Sequence, residues 1–456
     1  MDVKLVTPFY YKGKQWCWLS NCAHWADIGG MTPGGFGSSA TEIQQEGLRI
    51  PPVKLVKGGE IDREILAILM SNVRVPEERM GDLQAQIGAL RVGRKRLTEV
   101  LDRYGADTVT EAVAELRDRS EQQMRACVSS LPDGVYSSTA SCDNDGISLE
   151  PLTIQLKMTV TGGEVTFDFN GSSKPCQGPM NCSADLLRSA VYIAVKHVFP
   201  SVPVNAGSFI PIHVVGIEGT FLDAQYPRPC SGAAAEVSQR VTEAVFMAMG
   251  QAIPDRMFAS PAGTNSNLSI GGYDPLNKRN YIMYLFSGGG YGGSWESDGL
   301  TNGCATVGIS KTQPVEILEQ QYPVVFDRYA LREDSAGAGQ HRGGFGISYR
   351  VRLLRGVAKA SLVMDHGLSG PPGLLGGEAG QANIVRICQS GKQVLPPHIS
   401  KGDGYELHPE DWIDVFTPGG GGYGEPSDRS LDAIQQDLDR GYVSTQQLKG
   451  QYPQYR

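Results

Sequence analysis

Glycine places the strongest limit on what this sequence can fold into. The stretches SGGGYGGS (287–294), GAGQHRGGFG (337–346), GPPGLLGGEAG (370–380) and PGGGGYGEP (418–426) interrupt any helix or long strand that would cross them. With 57 glycines and 27 prolines in 456 residues, the region 264–425 reads as short β segments between tight backbone turns. Two of these stretches contain GxGxxG, at Gly288, Gly290 and Gly293 and at Gly419, Gly421 and Gly424. The first runs into SWESDG, which does not open a helix, and the second precedes a helix with no returning strand. Neither completes a dinucleotide-binding βαβ unit, and there is no GxxxxGK[ST] loop for ATP.

The rest of the chain has a different texture. Two strand-like segments surround a Lys-Gly-Lys turn at the start. From Asp62 to about Leu131 the sequence turns charged and helical, with Met80, Leu83, Ile87, Leu90, Leu97, Leu101 and Tyr104 on one face and Thr108 or Thr110 as a cap for the following helix. Strands return after Leu131, including a hairpin at Gly162-Gly163. Helices are expected at Ala184 to Val198, near Ala235 to Ala252, and finally in SDRSLDAIQQDLDRG. The expected class is α+β, a sheet-rich multilayer architecture with an inserted helical segment and a β-rich C-terminal half. Four regions follow: a hairpin and glycine-rich loop (1–60), a helical insert (61–131), an α+β region (132–262), and a β-rich region with a terminal helix (263–456).

The opening hairpin carries the first candidate chemistry. If its loop is the three residues Lys12 to Lys14, positions summing to 26 face each other, and Asp2 lies opposite His24. Directly opposed residues have Cβ atoms about 4.5–5.5 Å apart, close enough for a carboxylate and an imidazole to share one metal ion. A two-residue loop without a bulge would put them on opposite faces instead. Asp27, three residues past His24, is the only other near donor, and the alternative is a histidine that merely has a carboxylate neighbour.

Composition narrows the partners. The net charge is −8, and the densest basic run, Arg91 to Arg96, sits in a helical pattern beside acidic residues, so nucleic acid is not an expected partner. No apolar stretch approaches membrane-spanning length, and the start lacks the order of a signal peptide; a soluble, cytoplasmic protein is expected. Nine cysteines (17, 22, 127, 142, 176, 182, 230, 304 and 388), without CxxC, read as reduced thiols. SCDNDGIS imitates part of a calcium loop, but Leu152 stands where its bidentate glutamate belongs, which leaves a polar turn.

The run NCAHWADIGGMTPGGFGSSATEIQQEGLRIPPVKL strongly resembles the hydantoinase B/oxoprolinase family, and VTFDFNGSSKPCQGPMNC, YALREDSAGAGQHRGGFG, GPPGLLGG and TPGGGGYGEPSDR resemble further family stretches in the same order. The resemblance covers essentially the whole chain. It implies a B-type subunit of an ATP-dependent hydrolase acting on a small-molecule cyclic amide such as a hydantoin or 5-oxoproline. ATP would be bound by a hydantoinase A-type partner in a hetero-oligomer, the partner phosphorylating the carbonyl oxygen before attack at a divalent metal (Zn, Mn or similar) in the B-type subunit.

In the family pattern GTHxxD followed by AHxxDxGG, Asp2 matches the first Asp and His24 the second His, at the family's 22-residue separation. The resemblance thus implies Asp2 and His24 as metal ligands and Asp27 orienting His24 or acting as a nearby base; Glu46 in QEGLRIPP is a further candidate for a site carboxylate, the alternative being an ordinary loop glutamate. The pattern's first histidine and an upstream carboxylate fall outside this sequence, so Met1 is expected to be an internal methionine taken as a start, or an upstream part to be a separate polypeptide. Such a chain, alone, is expected to be poorly soluble because of its bare hairpin edge. Two alternatives stand beside this reading: a subunit of an ATP-dependent ketone carboxylase, and a non-catalytic scaffold subunit.

Overall fold

A computed structural model describes residues 2–303, 306–307 and 312–455; Met1 and Cys304 lie outside the described residues. The chain is α+β, as expected. Strands β1 (Asp2–Tyr11) and β2 (Lys14–His24) form a hairpin of their own, and the short pair β3 (Val56–Lys57) and β4 (Glu60–Ile61) leads into helices α1 (Arg63–Ser71), α2 (Pro76–Tyr104) and α3 (Ala106–Ser129). Asp62 caps α1 by accepting the Glu64 and Ile65 N–H groups. The expected Thr108 or Thr110 cap on α3 is not found. Gly105, at φ 84°, turns the chain directly from α2 into α3, so both threonines lie inside the helix and Thr110 bonds back to the Ala106 carbonyl.

Strands β5 (Gly134–Cys142), β6 (Leu152–Thr161), β7 (Glu164–Asp168) and β8 (Ile212–Val215) form one sheet in that order. Helix α4 (Ala184–Val198) makes the crossover between β7 and β8, which pair in parallel. Its N-cap is Ser183, and Leu187, Ala190, Val191, Ala194 and Val195 form its buried stripe. Helix α5 (Ser238–Ala252), entered through a π-turn at Ala233–Val237, packs against α4, β5 and β6 and is buried nearly all round.

In the C-terminal half, β9 (Asn267–Asp274) and β10 (Arg279–Leu285) are followed by α6 (Val315–Gln321), β11 (Val324–Leu331), β12 (Ile347–Leu353), β13 (Val357–Val363), β14 (Ile384–Gln389), β15 (Lys392–Val394), β16 (Lys401–Leu407) and β17 (Trp412–Phe416). They make two antiparallel sheets, ordered β10-β9-β13-β16 and β11-β12-β17-β14-β15. Leu268, Ile270, Met283, Leu362, Tyr349 and Ile413 belong to the apolar core these sheets share. Helices α7 (Leu431–Asp439) and α8 (Thr445–Gln451) close the chain; α8 lies beyond the last helix expected from sequence.

Gly376 and Gly424 take the positive φ of the tight turns that the sequence suggested, but most of the glycines in these clusters do not. None of the glycines at 288–293 or 419–422 has a positive φ, and these segments pack backbone against backbone. The N–H groups of Gly420, Gly421 and Gly422 donate to Gly344, Ser260 and Glu378, three different stretches of chain. Consecutive residues that turn to three neighbours are what a helix with three residues per turn produces. A Cβ at Gly419, Gly420, Gly421 or Gly422 would lie 1.8, 1.9, 2.1 or 1.9 Å from the carbonyl oxygens of Ser335, Tyr291, Pro372 and Ala338 respectively. Only glycine fits there, because the neighbouring backbone occupies the volume of a side chain.

Candidate functional site

The hairpin reaches the expected register by a different route. Its loop is the two-residue turn Lys12-Gly13, both at positive φ, and a bulge between Phe9 and Tyr10 leaves Trp16 as the extra residue. The bulge restores the count, so pairing runs from Phe9 with Cys17 down to Asp2 with His24. His24 Nδ1 and Asp2 Oδ1 are 2.5 Å apart, with side-chain exposures of 76% and 49%. The hydrogen bond to Asp2 raises the imidazole above its ordinary pKa, and the same bond lowers the Asp2 carboxyl, each against partial burial.

Helix α2 fixes this end of the hairpin. Gln86 Nε2 donates to the Val3 carbonyl, the Gln86 carbonyl accepts from Asn21 Nδ2, and Trp25 Nε1 donates to Gln86 Oε1. One hairpin face is thereby turned inward with Val3, Leu5, Phe9 and Ala23, while Asp2, Lys4, Val6, Tyr10, Trp18, Cys22 and His24 face out.

Asp27 and Glu46 are placed differently from one another. Asp27 is fully buried, with Oδ2 accepting the Arg74 N–H at 2.6 Å and Oδ1 paired with Arg74 Nη1 at 2.8 Å. Arg74 Nη2 also reaches the Gly30 carbonyl, so Asp27 joins the loop after His24 to the residues ahead of α2; its bonds go to Arg74 and not to His24. Glu46 ends a short 3-10 turn, and its Oε1 accepts the N–H groups of Cys230 at 2.8 Å and Ser231 at 2.7 Å, just before the π-turn that opens α5. Burial raises its carboxyl above the usual range, opposed by those bonds. The Cys230 thiol is pushed up to about 11 by burial first and by the Glu46 charge next, and the Asp2 charge reaches it as well.

Asp2 and His24 are a carboxylate and an imidazole, side-chain types that ligate divalent cations. They do not make a complete set: among the described residues, no group of three or more His, Cys, Asp or Glu side chains is arranged to hold a metal ion.

A second charged cluster, deep between α5 and the β9–β13–β16 sheet, was not legible in the sequence. Lys401 and Asp365 pair at 2.9 Å with both side chains fully buried, and Asp365 Oδ1 also accepts the Asp143 N–H. Arg240 bonds His366, and both meet Glu243. Burial, with the Arg240 charge, drives the His366 imidazole down to about 3. The available signal was the polar series Glu236, Gln239, Arg240 and Glu243 at helical spacing in an otherwise apolar helix. The SCDNDGIS segment is the polar turn expected: Asp145 accepts the N–H groups of Ile147, Ser148, Gln177 and Gly178.

Among the described residues no helix is long and apolar enough to cross a membrane. Residues 1–426 match the model of the Hydantoinase B/oxoprolinase family. The beta subunit of the caprolactamase of Pseudomonas jessenii is 33% identical over 99% of this chain and 79% of its own length. The B-type subunit of a putative D-/L-hydantoinase from a Pseudomonas species is 29% identical over 99% of this chain and 78% of its own. The crystal structure of the ATP-dependent caprolactamase from P. jessenii superposes with a TM-score of 0.89 at 30% identity, covering 99% of this chain and 79% of that one. From its first strand to the last of its glycine segments, this chain belongs to the hydantoinase B/oxoprolinase family.

Proposed function

We propose that this chain is the B-type subunit of an ATP-dependent cyclic-amide hydrolase, and that the Asp2–His24 end of the hairpin contributes two ligands to its divalent cation. The observation that carries this reading is the exposed carboxylate–imidazole pair at 2.5 Å, in a chain matched along 99% of its length by an ATP-dependent caprolactamase. One carboxylate oxygen and one imidazole nitrogen suit Zn²⁺ or Mn²⁺, with the remaining positions filled by donors beyond the described residues or by water. Bound there, the cation would supply polarisation and a water whose pKa is lowered toward about 7.

The other residues act around that pair. Glu46, held by two backbone N–H groups and with a raised pKa, is the carboxylate we assign as proton acceptor for the attacking water. Asp27 is a positioning residue, acting through Arg74 on the loop that follows His24. An A-type partner would bind ATP and phosphorylate the amide carbonyl oxygen, because an unactivated amide carbonyl is a poor electrophile; hydrolysis then opens the ring and releases phosphate.

The test is reconstitution with an A-type partner, following ADP and ring-opened product from ε-caprolactam or hydantoin, with metal content by elemental mass spectrometry. His24→Ala is expected to abolish ring opening and to remove the ion. Undiminished ring opening in that variant would refute the metal assignment. ATP consumption that requires bicarbonate would move the reading to a carboxylase, and a complex active without bound metal would reduce the role of this chain to that of a scaffold.

A further inference from the structure

A groove of about 550 Å³ lies beside the Glu46 turn, walled by Pro175, Glu218, Asp223, Tyr226, Pro227 and Arg228. Its connection to that turn is direct. The Ile43 N–H donates to the Pro227 carbonyl at 2.9 Å, and Gln44 Nε2 donates to the Tyr226 hydroxyl at 2.6 Å. The Arg49 guanidinium sits 4.6 Å from the Tyr226 ring centroid. Just beyond the groove wall, the Cys230 and Ser231 N–H groups hold Glu46. One stretch of chain, 226–231, therefore forms both the groove wall and the seat of the Glu46 carboxylate.

The lining has a definite chemical preference. Pro175, Pro227 and the Tyr226 ring offer apolar surface, Glu218 and Asp223 offer acceptors for N–H donors, and Arg228, which also donates to the Cys176 carbonyl, offers N–H to a carbonyl oxygen. Glu218 and Asp223 stand against Arg228 in the lining and Arg49 on the Tyr226 ring, a near-balanced set of charges that suits an uncharged ligand. The volume falls within the roughly 300–1,000 Å³ of small-molecule sites. A small ring with apolar methylenes, one N–H and one C=O matches all three kinds of surface.

We propose that this groove receives the cyclic amide: its ring lies against the prolines and Tyr226, and its N–H faces the Asp223–Glu218 side. The proposal rests on the hydrolase reading above and adds the place where the substrate is recognised.

Saturation-transfer NMR on the whole chain with ε-caprolactam, and separately with hydantoin, tests it without ATP or turnover. Transfer to the ligand protons is expected for the parent and a loss of about fivefold or more for Tyr226→Ala and Asp223→Asn, with circular dichroism unchanged. Equal transfer in the parent and both variants, or none in the parent, would overturn the groove assignment. With the A-type partner present, KM is expected to rise about tenfold with kcat kept, equivalent to about 1.4 kcal/mol of binding. Ring opening with an unchanged KM in both variants removes the groove and leaves the hydrolase reading standing. A parent complex that opens no lactam removes the hydrolase reading, and the NMR result still decides the groove.

Discussion

Replacing Gly420 by alanine should separate backbone-contact packing from the ordinary effect of a glycine. The new Cβ would stand 1.9 Å from the Tyr291 carbonyl oxygen, where real Cβ contacts do not come below 3.0 Å, so one segment must move by at least 1.1 Å. Gly420 is held from both sides at that point, donating to Gly344 at 3.0 Å and accepting from Gly337 at 2.9 Å. A shift of that size strains the packing by about 1–3 kcal/mol and breaks two bonds worth about 1–1.5 kcal/mol each. The expected loss is therefore about 3–6 kcal/mol. The control is Gly88 in α2, where a Cβ meets nothing within 4 Å; alanine there should stabilise by up to about 1 kcal/mol through helix propensity. Urea unfolding followed by circular dichroism and tryptophan emission reads both. A Gly420→Ala protein within about 1 kcal/mol of the parent would refute the close-packed description of the bundle.

Three further outcomes follow from the charged groups. Lys401→Met leaves the fully buried Asp365 without its cation and should cost about 3–5 kcal/mol in urea unfolding; adding Asp365→Leu should recover part of it, giving a non-additive cycle. Asp143 is pushed up to about 6 by burial and the Asp365 charge, so its contribution to stability is full below the unfolded value of 3.8 and is lost as pH rises through about 6; Asp143→Asn should flatten the pH–stability curve across that window. In the hairpin, NMR titration should place the His24 imidazole above 6.5 in the parent and nearer 6.5 in Asp2→Asn. The His24 contribution is complete below 6.5 and lost as pH rises through the raised pKa, while that of Asp2 is present above 3.8 and lost as pH falls through the lowered one.

Much of the local structure was legible because it rests on local rules. The period-2 alternation of the hairpin and the apolar stripe of α4 identify those elements directly, and α4 spans the residues expected of it. The Asp2–His24 register was found although the assumed loop was not, since a two-residue turn plus one bulged residue gives the same count as a three-residue loop. What escaped depends on distant segments. Gly419 to Gly422 take their conformation from backbones at 260, 344, 378 and 381, which no window of sequence contains, and a glycine run alone looks the same in a turn. The Asp27 side chain pairs with Arg74, 47 positions away, a partner that HWAD alone does not indicate. The Lys401–Asp365–Arg240–His366 cluster draws on three separate stretches of chain for the same reason.

The glycine bundle also sets an order of events during synthesis. Its central segment, 419–422, is the last of the interacting stretches to be made, and the earlier ones near 260, 291, 335–344 and 372–381 take their hydrogen bonds or their packing from it. Until it emerges from the ribosome, those stretches have only the bonds they make with one another, such as Ala262 N–H to Gly290 and Ser260 N–H to Pro372, and contacts spanning some 160 residues close last. A chain released at Phe416 would contain every described strand of both C-terminal sheets and still lack the segment against which the glycine-rich stretches pack, leaving those stretches open to proteases. Closing that part of the molecule thus waits on a four-residue segment made after all the stretches it holds.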